Sequence, residues 1–158
     1  VGPAAGTEVL AAFTSRGAKG ETLPAVTLRA AGHQPYDFTD PALRETLEIP
    51  PERFPELFDP ARHDYRDYLR RTPEWKSAVD CNRRALERCD AVVLLLPCGL
   101  DAHADAFYGL GRGRPLAVVG HPLKGERVPT HLWADALLVG DADVLGWLAT
   151  LSPLREGG

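Results

Sequence analysis

The sequence predicts an α/β domain with a doubly wound parallel sheet flanked by helices. Three observations predict it. Residues 90–96 read as a strand, Asp90 opening an uninterrupted apolar run over 91–96, as expected of a central parallel strand covered on both faces. Shorter apolar runs alternate along the chain with segments of helical period. The length of 158 residues suits one domain with a full hydrophobic core, spanning 1–158.

The elements follow in order. Residues 7–13 read as a short buried strand, and a polar, Gly-containing stretch follows at 14–21. Leu23, Val26, Leu28 and Ala30 belong to a helix beginning near Pro24, and Gly32 suits its left-handed end. Residues 33–38 form a second extended segment, giving a β-α-β opening. Pro41, Pro50, Pro51, Pro55 and Pro60 punctuate residues 39–71, with short helical pieces such as 42–48 between them. This stretch reads as an insertion or lid over one edge of the sheet, with a surface excursion as the alternative. Thr72, Pro73 and Glu74 then mark a helix start as N-cap, first helical residue and first-turn acid. That helix runs to about Cys89, with Trp75, Val79, Asn82 and Leu86 on one face.

After the central strand, Pro97, Cys98 and Gly99 break the chain, and Asp101 is placed to cap a helix over 102–111. Gly109, Gly111 and Gly113 lie between a helix and a strand, the wrong order for a dinucleotide fingerprint, so they read as a helix C-cap and a tight return. Residues 116–119 and 136–139 are strands, and Asp141 caps a last helix over 142–151 with Val144, Leu145 and Leu148 inward. The alternation places the domain in the Rossmann or flavodoxin-like class.

Composition narrows the function. The net charge is −4 and no Lys/Arg-rich block occurs, which argues against a nucleic acid polymer as partner. No apolar run approaches a membrane span, and no basic segment leads into a long apolar one. Cys81, Cys89 and Cys98 are odd in number and lack CxxC spacing, which suits a reducing cytoplasm. His63, His121 and His131 lack metal-ligand spacing, so no metal and no cofactor are expected.

In such a sheet ligands bind beyond the C-terminal strand ends. Those ends present Ser15 and Arg16, then Tyr36 and Asp37, then the turn holding Cys98, Gly99, Asp101, His103 and Asp105. The last turn is the richest in chemistry: a Gly turn, a helix start, a His and carboxylates. Each residue also has a plainer description. Asp105 can be a carboxylate favoured by the helix dipole, Asp80 a solvated helix position, His103 a polar helix-start residue, and Cys98 a small turn filler.

Residues 80–115 resemble the nucleoside 2-deoxyribosyltransferase family and its N-glycosidase relatives. The shared pattern is an Asp on a helix, an acidic step at the helix end (Cys89, Asp90), an apolar strand, a Pro-Cys-Gly turn, then a His-containing segment before a Gly-x-Gly-basic-Pro return (Gly111, Gly113, Arg114, Pro115). Residues 28–38 (LRAAGHQPYDF) resemble the LRAxGHxVYDF segment of the same group. The likeness touches two segments, about a third of the chain. It implies a carboxylate that attacks the anomeric carbon of a nucleoside, and a glycosyl-enzyme resolved by another base or by water. By position Asp105 matches the nucleophile and Asp80 the acid that holds or protonates the base. Tyr36 and Asp37 would line the pocket near Ser15 and Arg16, and Cys98, Gly99 and His103 complete the candidate contacts.

Four positions depart from the pattern. Asp105 replaces a Glu, Phe107 a Gly, Arg114 a Lys and Asp101 a Ser. Phe107 is therefore expected to crowd the pocket. The resemblance implies an N-glycosyl transferase or hydrolase with a small nucleoside or nucleotide partner. The alternatives are a non-catalytic nucleotide-binding module on the same fold and an NAD-cleaving glycohydrolase. A homodimer or larger assembly is also expected, because the family builds its sites near subunit contacts and Leu132, Trp133 and Trp147 could supply an apolar patch.

Overall fold

A computed structural model of the chain describes residues 8–13, 23–36 and 56–151. Among them, five parallel strands form one sheet in the order β2-β1-β3-β4-β5. The strands are β1 (Glu8–Phe13), β2 (Gln34–Tyr36), β3 (Ala91–Leu95), β4 (Leu116–Val119) and β5 (Ala136–Leu138). The helices are α1 (Leu23–Ala30), α2 (Tyr65–Arg70), α3 (Pro73–Arg88), α4 (Leu100–Gly111) and α5 (Ala142–Thr150), with a 3-10 turn at Pro129–Trp133. This is an α/β architecture with helices on both sheet faces.

The two faces follow from the two-residue period of the central strands. Val92 and Leu94 of β3, with Leu116 and Val118 of β4, point to one side. There they meet Ala85, Leu86 and Cys89 of the α3 end and Ala102 and Ala106 of α4. Val93 and Val119 point to the other side, against Ala25 and Leu28 of α1 and Val144 and Leu148 of α5. Each fully buried Val or Leu contributes roughly 1.5–3 kcal/mol relative to exposure. The order of strand addition reverses between β1 and β3: β2 lies on one side of β1, and β3, β4 and β5 lie on the other.

Local signals act much as expected, with some corrections. Gly32 (φ +88°) closes α1 through hydrogen bonds from His33 N to Leu28 O (2.9 Å) and from Gly32 N to Arg29 O (3.0 Å). Gly113 (φ +82°) closes α4 in the same way, through Arg114 N to Gly109 O and Gly113 N to Leu110 O. Thr72 does occupy the α3 N-cap with Pro73 behind it, but its side chain makes no cap bond, and Oγ1 is buried without a partner. Val79 is exposed, because the inward face of α3 turns toward Ala85, Leu86 and Cys89. Asp101 lies inside the first turn of α4, whose N-cap is Gly99. Asp141 makes no side-chain cap for α5; Asp143 Oδ2 accepts from Gly140 N at 3.2 Å instead.

Part of the 39–71 stretch lies outside the described residues; 56–71 does not. Phe58 packs edge-on against Tyr65 and Tyr68, and Tyr68 reaches Trp75 at 5.8 Å between centroids. The segment is thus tied to the first turn of α3. Trp147 packs against the α1/α5 core, whereas Trp133 contacts Phe107 near the other. One patch combining Leu132, Trp133 and Trp147 is therefore not formed.

Gly109 sets the distance between α4 and the sheet. A Cβ there would lie 2.8 Å from Val92 Cγ2 and 3.2 Å from Leu86 Cδ2. Gly109→Ala should cost about 1–3 kcal/mol through overpacking, outweighing the gain of up to about 1 kcal/mol in helix propensity. Urea unfolding that shows Gly109→Ala to be as stable as the native chain would refute this packing.

Candidate functional site

Tyr36 is the last residue of β2, and its hydroxyl reaches across to α3. It donates to Asn82 Oδ1 at 3.1 Å and lies 3.2 Å from Cys81 Sγ. The other end of the same amide, Asn82 Nδ2, donates to Asp105 Oδ2 on α4 at 3.1 Å. An ionised carboxylate only accepts, so Nδ2 must face Asp105, and Oδ1 is left for the phenol proton. Three elements thus converge through one amide, and all three side chains are half-buried.

The electrostatics of this cluster come mainly from burial. Burial pushes the Asp105 carboxyl above its ordinary range, the Asn82 hydrogen bond pulls it partly back, and the charge on Asp101 adds to the rise. Asp105 lies one turn inside α4, beyond the first turn where the helix dipole is felt. The expectation that the dipole favours the ionised form is corrected accordingly. Burial also raises the Tyr36 phenol well above its usual value, with Cys81 and Asp105 adding to it, so Tyr36 keeps its proton. A carboxylate fixed in this way can act as nucleophile or base, while the phenol gives its one proton to Asn82 Oδ1 and so holds the amide in place.

Asp80 is not brought to this cluster. Its carboxylate pairs with Lys76 at 2.6 Å and Arg83 at 3.5 Å, and the Lys76 hydrogen bond holds it below its ordinary range. Asp80 and Asn82 are two residues apart on a helix, hence about 200° apart around its axis. Since Asn82 shares the side of Leu86, Asp80 faces away. Phe107 is likewise about 200° from Asp105 around α4. It turns toward Trp133, edge-on at 6.2 Å, and does not crowd Asp105.

Cys98 and Gly99 do stand at the end of β3, beyond the cis Leu96-Pro97 bond. Cys98 is buried in the core, and burial pushes its thiol up to about 11, with the charge on Glu126 adding. His103 Nδ1 is 2.9 Å from Gly99 O and 3.3 Å from Cys98 Sγ. The carbonyl can only accept, so Nδ1 carries a proton and cannot deprotonate the thiol. Cys98 is therefore a turn-filling residue, not an activated nucleophile. His103 sits on a different side of α4 from Asp105, with its Nε2 against His131. Ser15, Arg16 and Asp37 lie outside the described residues.

Cys81 and Asn82 had no assigned role in the sequence, and His131 stood as a scattered loop histidine. Asn82 carried a usable signal: a polar amide on the inward face of an amphipathic helix requires a partner. His131 carried none, since its partner is 28 residues away. No family model, curated protein or solved structure matches the chain. Among the described residues no group of three or more His, Cys, Asp or Glu could hold a metal ion, and no helix is long and apolar enough to cross a membrane.

The raised Asp105 pKa has a signed consequence. The folded state holds the Asp105 proton more tightly than the unfolded state does. Its stability contribution is therefore greatest below the unfolded value, near 3.9, and is lost as pH rises toward the folded value. Asp105→Asn keeps an acceptor for Asn82 and removes the charge. It should raise the thermal midpoint at pH 7 and give no gain at pH 3. An Asn variant less stable than the native chain at pH 7 would overturn this reading of the site.

Proposed function

We propose that this chain is an N-glycosyl transferase or hydrolase acting on a nucleoside or nucleotide, with Asp105 as the attacking carboxylate. The observation that carries the reading is the Asp105–Asn82–Tyr36 chain, which fixes a half-buried carboxylate beside a protonated hydroxyl. The resemblance of residues 28–38 and 80–115 to nucleoside 2-deoxyribosyltransferases supports the same assignment of Asp105. Strand order 2-1-3-4-5 fits a doubly wound, flavodoxin-like sheet, whose ligands bind where the order reverses.

In this reading Asp105 attacks the anomeric carbon while the C–N bond to the base breaks. The base leaves with the bonding electrons and takes up a proton. A second base or water then displaces Asp105 from the sugar. Asn82 holds the carboxylate in line, and Tyr36, whose proton goes to Asn82 Oδ1, fixes the amide and can accept a hydrogen bond from a substrate hydroxyl. Asp80 stays in its ion pair with Lys76 and Arg83 and is not assigned the acid role. That absence favours a second reading, a non-catalytic nucleotide-binding module. Retaining N- and O-glycosidases commonly work with two carboxyl groups, and Asp105 has no second one bonded into its cluster among the described residues.

An assembly of two or more copies also remains a proposal. Its apolar contribution would come from Leu132, Trp133 and Leu100, all strongly exposed, without Trp147. Light scattering at micromolar concentration tests it, and a monomer there refutes it.

The chemistry is tested by chromatography for free base after incubation with nucleosides, their monophosphates and NAD. Base release should fall at least about 1000-fold in Asp105→Ala, as for loss of a nucleophile acting in a unit. Release of nicotinamide alone would identify an NAD-cleaving enzyme. Because Phe107 faces away from Asp105, Asp105→Glu alone should retain release within about 100-fold, the usual cost of a 1 Å displacement. Unchanged release in Asp105→Ala would show that Asp105 is not the nucleophile. Nucleotide binding without release from any substrate would establish the binding module.

A further inference from the structure

On the side of α4 away from Asn82, His103 Nε2 and His131 Nε2 are 2.8 Å apart. The two rings are parallel within 3°, with centroids 5.1 Å apart. That separation is hardly more than the N···N distance plus the two ring radii. The rings therefore lie edge to edge in one plane with their nitrogens head to head, and they are not stacked face to face. A metal ion bridging both nitrogens in line would need them about 4 Å apart, since each metal–nitrogen bond is about 2 Å. At 2.8 Å there is room for one proton and nothing larger.

The protons can be counted. Gly99 O fixes a hydrogen on His103 Nδ1, so the neutral ring presents a lone pair at Nε2. His131 must then donate its Nε2–H. A first added proton leaves one N–H between the nitrogens and strengthens the bond by charge. A second would place two N–H groups nose to nose at this distance, which the pair can accept only by separating.

That separation has a mechanical consequence. The 3-10 turn Pro129–Trp133 has no buried residue of its own. Among the described residues, its side chains meet α4 through His131 on His103 and the edge of Trp133 on Phe107. We propose that His103 and His131 form a one-proton latch, holding the 129–133 turn on α4 at neutral pH and releasing it when both rings are protonated.

The surrounding charges suit a latch that opens in acid. Cys98 Sγ faces His103 from the β3 turn, with Glu126 acting on that thiol from the loop beyond β4. Asp101 and Asp105 belong to α4 itself. Among the described residues no carboxylate is hydrogen-bonded to either imidazole. Burial and the neighbouring His103 both hold His131 below its ordinary value. A depressed imidazole contributes stability above the unfolded value, near 6.5, and loses it as pH falls through the window below.

The test is an NMR titration of the full chain from pH 7.5 to 4.5, following the imidazole signals of His103 and His131 and the indole N–H of Trp133. The shared hydrogen bond should make the two rings protonate in succession rather than independently. The Trp133 signal should move with the second step only. His131→Gln keeps a donor for neutral His103, and its amide can turn to accept from protonated His103, so Trp133 should stay docked throughout. His131→Leu should leave Trp133 in its undocked position already at pH 7.5. Two independent titrations with single slopes, or a Trp133 signal constant from pH 7.5 to 4.5, would overturn the latch. So would an acid transition in His131→Gln equal to that of the native chain. The native titration decides the matter even if both variants fail to fold.

Discussion

The structure depends on burying β3 from both sides. Ala91, Val92, Val93 and Leu94 are fully enclosed, and no single layer of helices could enclose residues that alternate between two faces. The chain must therefore supply helices to each face: α3 and α4 to one, α1 and α5 to the other. Everything at the C-terminal rim inherits its position from this requirement. The turn at Cys98 and Gly99 stands where β3 emerges, and α4 must fold back from it directly over Val92. Gly109 permits that approach, since any side chain at its position would strike Val92.

Where α3 and α4 meet over the sheet, polar groups enter an otherwise apolar layer. Asn82 follows Cys81 on α3 and precedes Ala85 and Leu86, which are core residues. A half-buried amide without partners costs about 1–3 kcal/mol, and here each end of it is satisfied by a different element. The amide thereby couples the end of β2 to the second turn of α4. The geometry of Asp105 is set by packing rather than by its own flexible side chain. On the opposite side of α4, His103 performs a comparable joining with the turn between β4 and β5. One helix thus carries two polar junctions, separated by the arc between residues 103 and 105.

The legible part of the fold was the part written in periodicity and punctuation. The run at 90–96 marked β3, Gly32 and Gly113 marked two helix ends, and residues 116–119 emerged as β4 at those bounds. What failed was capping chemistry and side-chain direction. Thr72, Asp101 and Asp141 are residue types that cap helices, but a cap bond depends on backbone angles fixed by the neighbouring elements. Val79 was assigned to the inward face because it is apolar, yet the phase of α3 was set by Ala85, Leu86 and Cys89. The candidate site was legible at Tyr36 and Asp105, which lie near strand ends. Asp80 entered the site through the resemblance alone, although the helical phase that sets Asn82 beside Leu86 turns Asp80 away.

The cluster also breaks a rule that the rest of the layer obeys. Stability alone would be served as well by apolar side chains of similar volume at 36, 82 and 105, since satisfied buried polar groups give little net advantage over good packing. Asp105 goes further, because burial disfavours its charged form and raises its pKa above the ordinary carboxylate value. Elsewhere along the α3/α4 interface the chain uses Ala85, Leu86, Ala102 and Ala106, the choices that packing dictates. A local departure of this kind, set into a consistent framework, is the pattern expected of a position retained for chemistry rather than for folding. The same reasoning separates Asp105 from Cys98. The thiol is also buried at the rim, but it packs as a small apolar group, its proton is held by burial, and the neighbouring imidazole is already committed to Gly99 O. Between Cys98 and Asp105, the carboxylate is the one held through a single oxygen, and among the described residues no hydrogen bond engages its Oδ1.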